Sequence, residues 1–324
     1  MKTKKQIVKQ SLTYILLAAA FIIVWAMIKA GAISRHMSSM LVPICINVIL
    51  AVSLNLVIGF LGELSLGHAG FMSVGAYVGC LFSIYTEEII PTIIRFPLAM
   101  LFGGGAAAIF GLIVGVPVLR LKGDYLAIVT LAFGEIIRSI IINLEFTGGA
   151  SGLKGTPQNS NFTIAFVVLV ITVFLITNLT DSKHGRAIRS LKENMIAASA
   201  CGVNINNYKL MAFIISAFFA GVAGVIFGHN LSILSAATFD YNKSIEILVM
   251  VVLGGIGSIP GSIISATALT VLPESLRVLK DYRMLIYSLV LIAVMILNSN
   301  ESFKEFKRNL SFKKLITVGR KETK

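Results

Sequence analysis

Residues 181–209 read DSKHGRAIRSLKENMIAASACGVNINNYK, a polar, basic stretch held between two apolar runs, 163–180 and 210–228. Each run approaches the ~20 apolar residues that carry a helix across a ~30 Å hydrocarbon core. The stretch between them is therefore a loop joining two membrane spans. The same alternation extends in both directions, with apolar segments at 12–29, 40–60, 66–85, 97–118, 124–144, 244–258, 260–278 and 284–298. The expectation is an all-α polytopic membrane protein of about ten transmembrane or re-entrant helices. Its sections are a basic cytoplasmic tail at 1–11, a membrane domain at 12–298 with 181–209 as its cytoplasmic loop, and a second basic tail at 299–324.

Composition agrees. Of 324 residues, 56% are hydrophobic and 13% charged, against about 25% charged in soluble domains. The net charge of +13 would raise nucleic acid as a partner in a soluble protein. Here the basic residues cluster beside apolar runs, which reads as membrane orientation and not nucleic-acid binding. With alternating spans, Lys and Arg divide about 19 to 7 in favour of one side, which places both termini and 181–209 in the cytoplasm of a multi-pass inner-membrane protein. The N-terminus resembles a signal peptide, down to Ala30-Gly31-Ala32, but its apolar run from Leu12 to Ile28 exceeds the usual 7–15 residues and reads as a retained helix. Cys45, Cys80 and Cys201 have no metal or disulfide spacing, and the four His share none.

Two glycine-rich breaks interrupt the apolar pattern: IGFLGELSLGHAG, with Gly62 and Gly67, and LGGIGSIPGSIISA, with Gly254, Gly257, Pro260 and Gly261. Non-helical backbone at membrane depth must be buried in protein or line a cavity. Setting Leu61-Gly62 over Leu253-Gly254 aligns the breaks loosely, as either an internal repeat or chance would. Glu63 and His68 lie at the first break, where a lone His reads as a satisfied structural group. Small-residue stripes at Gly75/Gly79 and Ala220/Gly224/Gly228 read as helix packing.

Within 181–209, Asp181 or Ser182 can cap a helix and Gly202 can end one, while Ile188, Leu191, Met195 and Ala198 follow helical spacing. One short amphipathic helix is expected, either lying on anionic lipid or presenting its apolar ridge to a cytoplasmic protein. Glu135 and Arg138 sit three apart within a span. They line the pathway, or they form a bundle-internal ion pair; the second is preferred because buried pairs can set structure without touching ligand.

The run GRAIRSLKENMIAASACGVNINNYKLMAFIISAFFAGVAGVIFG resembles the cytoplasmic loop and following helix of permeases of branched-chain amino acid ABC importers. LNLVIGFLGELSLGHAGFMSVGAYVG, LRLKGDYLAIVTLAFGEIIRSI, TGGASGLKGTP and LVMVVLGGIGSIPGSIISA resemble the same family in the same order, the second and third its M type. The resemblance implies a coupling helix around Arg186, Glu193, Ala197, Ala198 and Gly202 that receives the motion of two separate ATPase subunits. It also implies a paralogous permease, an extracytoplasmic substrate-binding protein and surrounding lipid as partners.

No G-x-x-x-x-G-K-[ST] occurs, so the chain is expected to bind no cofactor and to be no enzyme, ATP being hydrolysed by the partner subunits. The expected cargo is leucine, isoleucine or valine. The alternatives are an ABC permease for sugar or nucleoside uptake and, behind it, an ion-coupled secondary transporter. The outer loop Glu145–Phe162 is either a surface for the binding protein or a flexible connector.

Overall fold

The computed structural model describes residues 35–121 and 123–275, together with 288, 289 and 292. The expected first span at 12–29 and both tails lie outside the described residues, and of the last expected span, 284–298, only 288, 289 and 292 are described. Contacts divide the chain into one unit ending at Thr270 and a second from Val271, whose described residues are the end of the last helix and those three positions.

Among the described residues, ten α-helices follow in order: α1 Arg35–Asn55, α2 His68–Tyr85, α3 Thr92–Val118, α4 Asp124–Asn143, α5 Phe162–Asp181, α6 Lys183–Glu193, α7 Met195–Ala200, α8 Ile205–Gly228, α9 Tyr241–Gly254 and α10 Ile259–Ser275. Six helices among the described residues are long and apolar enough to cross a membrane: Met37–Leu61, His68–Tyr85, Thr92–Val118, Asp124–Asn143, Phe162–Asp181 and Ile205–Gly228. The expected span at 244–258 is not one of them. Its helix, α9, has 14 residues, which reach about 21 Å at 1.5 Å per residue, short of a ~30 Å core.

α8 occupies the centre, packed on α1, α2 and α3. Small residues make this possible. A Cβ at Gly75 on α2 would strike the backbone of Gly221 on α8, one at Gly221 would strike Ala107 on α3, and one at Gly224 would strike the Met72 carbonyl. With no hydrophobic force between helices in lipid, close backbone approach supplies the packing energy. The stripes read from the sequence are this interface. α3, α4 and α5 instead turn much of their surface outward, with Leu101, Phe102, Ile128, Ile140 and Phe174 exposed as a membrane or a partner requires.

α9 and α10 form an antiparallel hairpin: Ser265 Oγ donates to the Met250 carbonyl, and a Cβ on Gly254 would meet the backbone of Gly261. Its tip turns through Gly255 and Gly257 at φ of 91° and 84°. Nearer its base, Asn47 Nδ2 donates to Thr270 Oγ1 at 2.9 Å. Two short strands, β1 Leu153–Lys154 and β2 Ile233–Leu234, pair antiparallel with Leu153 opposite Leu234. They tie the loop after α4 to the loop after α8. Thr147 Oγ1 donates to the Ile141 carbonyl at 2.6 Å and Gln158 Nε2 donates to Ser232 Oγ at 2.9 Å, so both ends of the segment 145–161 are bonded to neighbouring elements.

Candidate functional site: the 181–209 loop and the helix breaks

Ser182 begins the loop by accepting the Gly185 N–H at 3.2 Å, satisfying one orphan donor of α6. Gly185 lets α6 turn tightly off α5, because a Cβ there would enter the carbonyls of Leu179 and Thr180. Instead of one helix, the loop holds two. Asn194, at φ −158° and ψ 107°, ends α6 and caps α7, its Oδ1 accepting from Ile196 N at 3.0 Å and Ala197 N at 3.1 Å. Gly202 closes α7 at φ +84°, with Gly202 N bonding the Ser199 carbonyl and Val203 N the Ala198 carbonyl. That pair of bonds is a Schellman ending, which favours glycine at this position.

The apolar ridge faces inward. Ile188, Leu191 and Ala198 are buried, at 0%, 1% and 5% exposure, so these three pack on this chain and not on lipid or a partner, while Met195, the fourth residue of the ridge, is half-buried beside the cleft described below. Ala198 is therefore not part of the loop's outer surface. The outer surface carries Arg186, Glu193, Ala197, Ser199, Ala200 and Gly202, with Ile196 83% exposed. Arg186 Nη1 donates to the Asp181 carbonyl at 3.3 Å. A cleft of about 400 Å³ opens beside α7, with Leu119, Arg120, Ile196 and Asn206 among its walls.

The basic residues of α6 hold the first break. α1 continues as a π-turn over Leu56–Leu61, ended by Gly62 at φ 83°. The N–H groups of Gly62 and Glu63 both bond the Val57 carbonyl, at 3.0 and 3.2 Å. In an α-turn, Glu63 would return its N–H to Gly59. The Gly59 carbonyl accepts from Lys192 Nζ instead, at 3.0 Å. Arg189 lies 4.9 Å over the Phe60 ring and pairs with Asp181 at 3.5 Å. Glu63 pairs with Lys209 in the first turns of α8, both almost fully buried.

From Gly62 the chain runs without helix to Gly67. There Leu66 N donates to Thr130 Oγ1 at 3.0 Å, and a Cβ on Gly67 would lie 2.9 Å from the Thr130 carbonyl. Ser244 Oγ then accepts the Ala69 N–H at 3.1 Å, and His68 bonds Ser53 Oγ at 2.8 Å, the structural role expected of it. In the second break Gly255 and Gly257 make the turn at positive φ, while Gly254 ends α9 and lies against Gly261. Pro260 and Gly261 belong to the first turn of α10, where a proline costs no helical hydrogen bond. The two breaks meet: Gly257 N donates to Asn55 Oδ1 at 2.9 Å.

Arg138 Nε reaches Glu135 Oε2 at 2.9 Å, so the expected pair forms. Both side chains are half-buried, keeping about 30% exposure. Sequence reasoning missed a second pair, Lys243–Glu246 at 2.9 Å, in which Lys243 also reaches Asn47 Oδ1 at 3.3 Å. It missed the roles of Lys192 and Lys209 as well. The available signal was a Lys near the start of an apolar helix and a Glu in a glycine-rich break, each needing an opposite charge.

The chain is similar in sequence to known proteins. The chain is 35% identical over 286 residues to the high-affinity branched-chain amino acid transport system permease protein LivM of Escherichia coli, a match covering 78% of this chain and 66% of that protein, so it spans just under two thirds of that relative's length. To the protein of the same name from Salmonella typhimurium it is 33% identical, covering 89% of this chain and 74% of the other. To the ribose import permease protein RbsC of Haemophilus influenzae it is 27% identical, covering 79% and 82%. No solved structure matches the chain. The family model for the permease component of branched-chain amino acid transport systems matches residues 36–297, which take in both helix breaks and the whole 181–209 loop, and the chain belongs to that family.

Proposed function

We propose that this chain is a membrane-spanning permease subunit of an ATP-driven ABC importer that moves leucine, isoleucine and valine inward across the cytoplasmic membrane. The observation that carries the reading is the family match across 36–297, joined to a capped two-helix loop whose outer face is free of contacts that would bury it. In this reading the loop faces the cytoplasm with both termini, and the outer face of α7 docks on an ATPase subunit. The complex holds two such subunits, a paralogous permease and an extracytoplasmic binding protein. Residues 145–161, braced by the β1–β2 pair, meet the binding protein.

The half-exposed pairs Glu135–Arg138 and Lys243–Glu246 fit a pathway for a zwitterion. A charge at the bilayer centre costs about 2.5–3.5 kcal/mol on insertion scales, so groups that are not sealed inside the chain need water or a partner subunit against them. Asn47, beside Lys243, is near the middle of the Met37–Leu61 helix, which supports reading the second pair as deep in the membrane.

Sugar uptake is the second reading, favoured by the ribose permease match over 79% of the chain. Reconstituting the full complex in liposomes with ATP inside or outside, as orientation requires, and supplying labelled leucine or labelled ribose separates the two. Leucine accumulation that needs ATP is expected; ribose accumulation without leucine transport would replace the first reading with the second.

A further inference from the structure

Gly59 is a junction of three elements. Its carbonyl accepts from Lys192 on α6 at 3.0 Å. A Cβ on it would collide with Asn55 Oδ1 and with the backbone of Gly257, so the α9–α10 tip rests directly on the π-turn. Asn55, fully buried, latches that tip by accepting the Gly257 N–H at 2.9 Å. Gly62 completes the seat, since a Cβ there would stand 2.8 Å from Lys192 Cγ.

The hydrogen bonds observed belong to one arrangement of this turn, and the same groups allow a second. In the state observed, Glu63 N–H bonds Val57 at 3.2 Å and Lys192 supplies the donor that Gly59 lacks. If α6 withdraws, the carbonyl of the buried Gly59 loses that donor and is left unpaired, which is unfavourable for a buried polar group. The Glu63 N–H, four residues on, is the donor that an ordinary α-turn would supply once Gly62 leaves its left-handed conformation. Converting a π-turn to an α-turn removes the extra residue and rotates one side of the helix against the other. Asn55 and the tip it holds would turn with it.

We propose that Lys192, Gly59, Asn55 and Gly257 form a positioning relay: Lys192 on the loop holds Leu56–Leu61 as a π-turn, and the position of the Gly254–Ser258 tip follows the state of that turn. Coupling needs such an element, one with two arrangements that both ends can bias. The inference rests on the ATP-driven permease reading.

The test follows the tip and not the cargo. Ile256, at the tip, is 52% exposed, and Cys201 is the one exposed cysteine among the described residues. In the complete complex carrying Cys201→Ser and Ile256→Cys, the rate of modification by a soluble maleimide is measured with and without ATP-vanadate trapping. The parent should change by at least about fivefold, the low end of ordinary allosteric coupling. Adding Lys192→Met should abolish the change, and Lys192→Arg, which keeps a donor, should retain it. Asn55→Ala should also abolish it, which covers the case in which Lys192→Met fails to assemble. A Lys192→Met complex that responds like the parent overturns the relay. So does an unresponsive parent that still performs ATP-driven uptake. A parent with no ATP-driven uptake overturns the transport reading beneath it.

Discussion

The Lys209 ammonium closes on the Glu63 carboxylate across 146 residues of sequence, with side-chain exposures of 4% and 5%. This pair pins the broken end of the first described span to the start of the central helix. Removing one partner of a buried pair leaves an uncompensated charge and costs about 3–5 kcal/mol. Lys209→Met and Glu63→Gln should each lower the thermal midpoint of the purified complex, and the double variant should lose less than the sum of the two. Additive losses would mean that the two side chains do not act on each other.

Gly202 tests the end of the loop. Its φ is +84° and a Cβ there would meet open space, so the cost of a side chain is conformational and not steric. Gly202→Ala should destabilise α7 by about 1–2 kcal/mol, the penalty for the left-handed conformation, and Gly202→Asn by less. Loss of helicity in an isolated loop is not the readout; faster proteolysis at 195–203 in the assembled complex is.

Ile196 and Ala198 sit two residues apart with opposite outcomes. Ile196 is 83% exposed and Ala198 5%. Ile196→Arg should leave assembly intact and cut ATP-driven uptake by tenfold or more, the effect of about 1.4 kcal/mol or more of lost docking energy. Ala198→Arg should instead fail in assembly, because it forces a charge into the packed side of the loop. Size-exclusion chromatography and uptake by the same preparations separate the two effects.

Glu135 and Arg138 should behave as a pair facing water or a partner. Either single alanine variant should reduce uptake more than it reduces the amount of assembled complex. The double reversal, Glu135→Arg with Arg138→Glu, should recover assembly and leave leucine uptake low. Full recovery of uptake by the reversal would assign the pair to structure alone.

Local pattern was enough to read the spans, because six apolar runs form helices close to where they were expected. The apolar spacing of Ile188, Leu191, Met195 and Ala198 was legible, but neither the break at Asn194 that puts them on two helices nor the inward turn of Ile188, Leu191 and Ala198 was, since spacing does not say what covers an apolar face. What stayed unread depends on partners far away in the chain. Asn194 is an ordinary polar residue until its backbone turns extended and its side chain caps α7. Lys192 looks like a solvated surface charge unless one knows that the π-turn frees the Gly59 carbonyl, and a π-turn leaves no periodic signal of its own. The α9 segment is apolar for longer than its helix lasts, because Gly255 and Gly257 adopt positive φ and end it.

The central claim is that the outer face of α7 is the joint between this permease and an ATPase subunit, and contact is its most direct test. A photo-reactive benzoylphenylalanine placed at position 196 in the native complex should cross-link to an ATPase subunit. The same residue at position 233, an exposed site on the β1–β2 pair, should not. An ATPase adduct from 233, or none from 196 in a complex that still takes up leucine with ATP, would contradict the account.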